Sequence, residues 1–535
     1  MIDRNLVLDP WIPVRRKNGE RLKIAPWQLT QDHAENPIVA LDAPRQDFSG
    51  ALAQFLIGLL QVVAMPGDDA GVEWSSWLDQ PPEPNELKTL MAKFAGNFSL
   101  GGEGSRFMQD FGSLDGKLNP IDELLIDAPG AKTKSDNKDH FIKRGGAEGI
   151  CPDCAAMALF TLQINAPSGG VGHRTSLRGG GPLTTLVVLD PQGSKQSATF
   201  WRTLWLNVLD DEQVGGLSGN AKLSAPEAIF PWLAPTRVSG KGGEDTFPQD
   251  VHPLQMYWGM PRRIRLELDG LSSGDCDLCG AQGLPLIRHY VTRNYGTNYT
   301  GAWEHPLSPH YLDSKSGMPM PAHAQPGGFS YRHWLAWTAN GQGRMRARVV
   351  ERFEDVRYDD EQLRLWAFGF DMDNMKARAW YETEVPLYLL PPGESRQHFI
   401  DSIDRLIGAG VQVAGYLQGA VKEAWFNRPG DARGDLNYLK QAFFEKTAAD
   451  FYALLRSLHE QAQSGIIDIN GRESWLNTLR REAERLFEEY ASGGASGEEN
   501  LARMSRAQIN LIKRLKGSKL YEILDLSKPK KSGKE

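Results

Sequence analysis

The sequence predicts an α+β protein: a large, irregular mixed α/β N-terminal domain with a cysteine-pinned loop region, followed by an all-α four-helix bundle. Three observations carry this. Short strand-like and helical runs interleave up to about residue 390, the four cysteines fall into two Cys-x-x-Cys pairs, and beyond Pro391-Pro-Gly393 the apolar residues step by three and four. At 535 residues the chain exceeds one ordinary core, so several domains are expected. The boundaries fall at 1–390 for the α/β domain, 391–520 for the bundle and 521–535 for a basic, flexible tail carrying Lys528, Lys530, Lys531 and Lys534.

Taken in order, residues 6–14 read as a strand entering a Pro-punctuated turn, and residues 19–24 as its partner. Residues 46–65 change period: Phe48, Leu52, Phe55, Leu56, Leu59 and Val63 recur at helical spacing and predict a buried amphipathic helix. Residues 66–84 read as a loop, 87–94 as a helix, 155–164 as a short helix closing the first cysteine pair, and 183–189 as a strand. Residues 200–209 read as helical, and 263–268, 344–353 and 363–372 as strands. In the C-terminal part, Phe399, Ile403, Leu406, Gly410, Val413, Leu417, Val421 and Ala424 place one apolar stripe on one helix face. Helices over 436–462, 472–490 and 501–515 complete the expected antiparallel bundle, their stripes forming core.

Hydrophobic residues at 41% and charged residues at 24% are those of a folded, soluble chain. The N-terminus reads without a signal peptide, and no apolar run reads as long enough to span a bilayer, so a cytoplasmic location with no membrane partner is expected. A net charge of -7 excludes a protein coated in positive field, such as a nonspecific DNA packer, and leaves room for local basic patches.

Cys151/Cys154 and Cys276/Cys279 leave no cysteine over. A thiolate pair two residues apart holds one face of a tetrahedral zinc ion and two pairs complete it, so a structural Zn2+ pinning distant segments is expected over disulfides, which a reducing cytoplasm disfavours. Residues 166–182 form a glycine-rich loop that contains no phosphate-loop motif and fails the dinucleotide fingerprint. Gly169, Gly170 and Gly172 still let backbone approach a ligand, and Arg174 and Arg178 add cations. Upstream, Lys132, Lys134, Lys138, Lys143 and Arg144 surround Phe141, an aromatic that can stack on a base or wedge a groove. Catalytic constellations are absent: His305 and His310 sit among prolines and apolar residues, Glu354-Asp355 and Asp359-Asp360 lack accompanying histidines, and no Gly-x-Ser-x-Gly occurs. The rival is a zinc-dependent nuclease or other nucleic-acid-processing enzyme, against which a closed four-sulfur site argues.

The order of these features resembles the CasA family, the large subunit of the type I-E CRISPR surveillance complex called Cascade. Residues 6–14, Cys151-Pro-Asp-Cys154 with the apolar run after it, Asn165-Ala-Pro-Ser-Gly-Gly-Val-Gly172, Ser176-Leu-Arg-Gly-Gly-Gly-Pro182, Cys276-Asp-Leu-Cys279 and Trp303-Glu-His-Pro-Leu-Ser-Pro309 carry the resemblance. It implies a non-catalytic subunit of an RNA-guided antiviral defence complex that binds the protospacer-adjacent motif (PAM) in double-stranded DNA, promotes strand opening and helps recruit a helicase-nuclease. Its implied partners are the target DNA, the CRISPR RNA, the other Cascade subunits and that helicase-nuclease. By the same resemblance, Ser168, Gly169, Gly170, Val171 and Gly172 match the family's glycine loop. Arg293 stands in for its basic finger, and Asn374, Met375 and Lys376 for its wedge at a hairpin tip. Phe141, Lys143 and Arg144 match its loop toward the guide RNA and the backbone subunit. The bundle resembles the one that packs on small subunits and helps position the displaced strand.

Overall fold

The computed structural model describes residues 3–67, 71–129, 146–170, 172–193, 198–354, 362–373, 375–431, 434–464, 470–491 and 500–528. The fold is α+β and divides into two compact units, one of residues 1–324 with 341–387 and the other of residues 325–340 with 388–535. The main strands and helices of the first unit, short helical turns aside, are in chain order β1 (Ile12–Arg16), β2 (Arg21–Ile24), β3 (Ile38–Leu41), α1 (Gln46–Val63), α2 (Val72–Asp79), α3 (Pro84–Ala92), β4 (Leu118–Pro120), α4 (Pro152–Asn165), β5 (Thr184–Leu189) and α5 (Phe200–Trp205). There follow β6 (Arg263–Leu266), β7 (Ser272–Gly274), β8 (Leu284–Leu286), β9 (His289–Arg293), β10 (His310–Leu312), β11 (Pro319–Pro321), β12 (Arg344–Met345), β13 (Leu363–Asp373) and β14 (Lys376–Leu387). They make small antiparallel sheets ordered β2-β1-β3, β4-β9-β6, β11-β10-β12, β14-β13-β5 and the pair β7-β8.

At the centre of this unit lies α1. Its Phe55 meets Trp11, Phe98, Phe107, Phe160 and Trp258 edge to face, with ring centroids 5.4 to 6.0 Å apart, an arrangement that pairs ring edges with ring faces. Among the described residues α1 is the one helix long and apolar enough to cross a membrane, contrary to the reading of the sequence, and 83% of it is buried inside this core. Every residue of β5 is buried as well, because β5 is covered on one edge by β13 and packs against α5 and the helical turn Arg348–Glu351.

Several local expectations fail for identifiable reasons. Within the supposed strand 6–14, extended pairing begins only at Ile12, because the Asn5 side-chain oxygen takes the amides of Val7 and Leu8 and makes a turn. The supposed loop 66–84 contains α2, whose Trp74 and Leu78 are buried. The strand expected over 344–353 is only β12; residues Arg348–Glu351 form a helical turn, with Val349 and Val350 fully buried and an Arg348–Glu351 ion pair at 2.6 Å. A β-branched pair flanked by charges reads as strand, yet burial of both valines on one helical turn overrides that propensity. Helix α5 stops early, since Asn207 instead pairs with both backbone groups of Val187 in β5 at 2.8 Å.

The second unit is helical: α6 (Glu394–Trp425), α7 (Asn437–Gln463), α8 (Asn470–Ala491), α9 (Leu501–Leu515) and α10 (Ser518–Leu524), with α6 packed against each of the others. Phe399, Ile403, Leu406, Val413, Leu417 and Val421 are buried along α6, as the spacing of three and four requires. Residues 325–340 belong here and not with the α/β body: Tyr331 stacks on Phe451 at 4.3 Å and its hydroxyl hydrogen-bonds Thr447 at 3.0 Å. The flexible tail expected from residue 521 is in part α10, with Leu520 and Leu524 fully buried; residues 529–535, which include three of the four tail lysines, lie outside the described residues.

Candidate metal centre and nucleic-acid interface

Two backbone devices bring the four cysteines together. Ile150 pairs with Ile287 in an isolated antiparallel bridge, which delivers Cys151 to the N-terminus of α4, where Pro152 occupies the first helical position and needs no amide partner. Cys154 lies one turn further on, on the same face. The second pair sits in the loop of the β7-β8 hairpin, folded into a knuckle by hydrogen bonds from the Gly280 amide to the Cys276 carbonyl and from the Cys276 amide to the Ala281 carbonyl, both 2.9 Å. Gly280 adopts φ +70°, the left-handed conformation in which a glycine pays no Cβ penalty. Asp277, between the two cysteines, accepts the amides of Glu148 and Gly149 at 2.7 and 2.8 Å and ties knuckle to bridge.

The four sulfur atoms lie within 4.8 Å of one another, and those of Cys151 and Cys279 are 3.8 Å apart. Metal–thiolate bonds of about 2.3 Å put tetrahedral sulfurs roughly 3.8 Å apart, so the donors fit a metal ion directly. The Cys151 amide also donates to the Cys276 sulfur at 3.2 Å. Cys151, Cys154 and Cys276 are buried and Cys279 faces solvent. Hydrogen bonds from the Cys151 and Cys154 thiols hold the Cys276 thiol far below its ordinary pKa, while the Cys151 and Cys154 thiols are held above theirs by the same shared contacts and by burial. Behind the cluster, Asp153 is clamped by Arg4 at 2.6 Å and Lys23 at 2.7 Å. Burial works against the Lys23 ammonium, yet its hydrogen bond to Asp153 and the charges of Asp153, Cys151 and Cys279 raise its pKa above the usual lysine value. The chemistry available is that of a closed four-sulfur site, which fixes segments together and offers no open position to a water.

Helix α4 leads from this cluster straight into the glycine-rich loop. Ser168, Gly169 and Gly170 are exposed. They form a bend closed by hydrogen bonds between Gly169 N and His173 O and between His173 N and Gly170 O, while the Arg262 guanidinium holds the Pro167 carbonyl beneath it. Gly170 and Gly172 have φ of +81° and +79°. A methyl group at Gly172 would fall 2.8 Å from the Asn294 Cβ and 3.0 Å from the Tyr295 ring, and the Tyr295 amide donates to the Gly172 carbonyl at 2.6 Å. The end of β9 and the residues after it therefore sit against the glycine bend. Val171 lies outside the described residues. Further along, a methyl group at Gly181 would approach the Phe370 carbonyl within 2.8 Å, which seats the loop's last limb on β13.

Arg293 ends β9, exposed, with its Nε donating to the Asp115 carbonyl at 2.6 Å. Met375 and Lys376 are exposed at the tip of the β13-β14 hairpin, where Asp373 and Lys376 face each other in register and a bulge follows Asp371; Asn374 lies outside the described residues, as do Phe141, Lys143 and Arg144. The two loop arginines behave differently from expectation. Arg178 is buried, donating to Gln54 at 2.6 Å and to Thr184 and Ser308 at 3.0 Å, so it pins the loop to α1 and β5 and faces no ligand. Arg174 binds the hydroxyl and carbonyl of Ser239 at 2.8 and 2.7 Å. His305 and His310 are buried as packed side chains. Sequence reasoning missed Tyr295, a non-glycine residue at φ +62° with its ring exposed beside the bend, and Arg262 under it; neither carries a local sequence signal.

A four-cysteine cluster that could hold a metal ion, made from two distant segments of an α/β body, with an exposed glycine bend after it and a helical unit further on, defines a class of large two-unit proteins. The family described as CRISPR-associated protein Cse1 matches residues 5–486, and the chain belongs to it. The structure is similar to Thermus thermophilus CasA (Cse1), with a TM-score of 0.66 and 16% identity over 96% of this chain and 99% of that one. It is similar to Thermobifida fusca Cse1, with a TM-score of 0.67 and 16% identity over 98% of both chains. A chain of a structure titled a CRISPR RNA-guided surveillance complex matches with a TM-score of 0.63 and 15% identity over 96% of this chain and 100% of that chain.

Proposed function

We propose that this protein is the non-catalytic DNA-recognition subunit of a type I-E RNA-guided CRISPR complex. In that role it binds the protospacer-adjacent motif of double-stranded target DNA, promotes opening of the duplex next to it and presents the DNA to a helicase-nuclease. The observation that carries this reading is the exposed Ser168–Gly170 backbone bend held against the 291–295 segment by the Tyr295–Gly172 hydrogen bond. Such a bend can follow a minor-groove floor, which admits backbone better than bulky side chains and offers a degenerate pattern. Family membership supplies the RNA-guided setting.

In this reading Zn2+ occupies the four cysteines as a structural ion and keeps the bend at the end of α4 in register. Arg293 contributes a cation beside the duplex, and Met375 and Lys376, with Asn374, act at the opening base pair. Phe141, Lys143 and Arg144 meet the guide RNA and its backbone subunit, and the bundle meets other subunits and the displaced strand. Cytoplasmic location follows from that setting. Four cysteine sulfurs would complete a tetrahedral shell around such an ion, so the metal would supply no hydrolytic water.

The test is binding by the full chain in its co-purified complex to duplexes with and without the motif. Gly170→Val introduces a side chain into open space at the bend and is expected to reduce discrimination between the two duplexes at least tenfold while the complex still assembles. Unchanged discrimination would remove the bend from the reading.

A further inference from the structure

Next to the glycine bend stands a second small-residue turn, Ser239-Gly-Lys-Gly-Gly243, that no motif marks. The Tyr295 ring lies between the two. Its Cδ1 and Cε1 edge packs on Gly172, and on the other side a methyl group at Gly240 would meet its Cγ at 3.3 Å. Tyr295 also accepts the Ser239 amide on its carbonyl, and Arg174 from the bend grips Ser239 at two points. Bend, β9 end and turn are thus one knitted edge of the first unit.

The turn is built to a single shape. Gly242 sits at φ +80°, and a methyl group at Gly243 would lie 1.9 Å from the Val238 carbonyl oxygen. The 243-to-240 backbone hydrogen bond of 2.7 Å closes it. Lys241 stands exposed at the apex, and among the described residues its side chain makes no ion pair or hydrogen bond. Of the acids that follow, Asp245 is engaged by Asn298 at 2.7 Å. Arg293, the cation expected from sequence, spends one guanidinium donor on the Asp115 carbonyl.

We propose that Lys241 is a phosphate-contacting residue of the same DNA interface, its ammonium neutralising a backbone phosphate of the duplex beside the stretch read by the glycine bend. A rigid backbone apex leaves only the lysine side chain to be ordered on binding, and its ammonium releases a counterion when it meets a phosphate, whereas a base-reading role would require a donor aimed along the groove floor. This rests on the DNA-recognition reading above and adds to it a contact on a different segment.

The experiment measures affinity of the complex carrying Lys241→Ala for duplexes of differing motif, over a range of salt. Expected is a three- to tenfold loss for all duplexes alike, a salt slope lower by about one unit, and recovery in Lys241→Arg. Lys315→Ala, an exposed lysine on the β10-β11 connection, is expected to leave both unchanged. If Lys241→Ala leaves affinity and slope intact while Gly170→Val loses discrimination, the lysine proposal falls and the DNA reading stands. If neither variant alters binding, the DNA reading falls with it.

Discussion

A guanidinium on a glycine-rich loop reads in sequence as a phosphate ligand, and burial assigns Arg178 the opposite role. Its pKa is lowered to about 9 by desolvation, so it stays protonated at neutral pH, held by three neutral acceptors. Arg178→Met should leave Gln54, Thr184 and Ser308 without their donor and cost roughly 2–4 kcal/mol, seen as an earlier unfolding midpoint in urea; a midpoint equal to that of the parent would show the bonds to be dispensable. The glycines also divide by environment. A side chain at Gly169 would meet Arg262 Nη1 and His173 Cβ at 2.7 Å, and one at Gly172 would meet Asn294, whereas Gly170 faces open space. Gly172→Ala is therefore expected to destabilise by about 1–3 kcal/mol, against about 1 kcal/mol for Gly170→Ala, which bears only left-handed strain. Equal losses in the two thermal unfolding curves would contradict this. The sequence showed that glycines cluster here, but each one's partner comes from residues near 262 and 294, which no local pattern reveals.

At the scale of elements, strong periodicity and special chemistry were legible. Helix α1 and the four long bundle helices fall where spacing of three and four put them, because one apolar stripe determines each. The cysteine pairs were legible too, since thiolates two residues apart have few other uses. What escaped were short elements defined by tertiary burial, namely α2, the 348–351 turn, α10 and the transfer of residues 325–340 to the bundle. The cysteine cluster joins the start of α4 to the β7-β8 knuckle, and apart from it that junction rests on a few backbone bonds and Asp277. One tightly bound metal ion per chain is expected by elemental analysis, with zinc as the proposed ion. Cys276→Ser should lower its occupancy and shift thermal unfolding down by several degrees, and a chelator should do the same to the parent protein. A metal-free chain that is as stable as the metal-bound parent would refute the pinning role.

For the whole molecule, both units bury neutral imidazoles, and this makes acid a common destabilising agent. Burial lowers His310 of the first unit to about 4, with a hydrogen bond to the Trp303 carbonyl opposing and the Arg178 charge reinforcing the shift. His333 of the second unit falls to about 3 through burial and the Arg332 charge beside it, and His305 is displaced in the same direction by burial. An unfolded histidine titrates near 6.5. Above that value neither state binds the proton and stability is complete. Between it and the folded values only the unfolded chain is protonated, so stability drops as pH falls, and the loss is finished once pH passes the folded value. For His310 alone this amounts to about 2 kcal/mol at about pH 5. Metal release from protonated thiolates would act in the same range, so the measurement follows bound metal and unfolding together. In His310→Gln, whose amide can still donate to the Trp303 carbonyl, the unfolding midpoint should fall less steeply from about pH 7 to about pH 5 than in the parent at equal metal content. Superimposable pH profiles for the two proteins would mean that the buried imidazole carries none of the acid sensitivity, and the loss would then belong to the thiolate cluster.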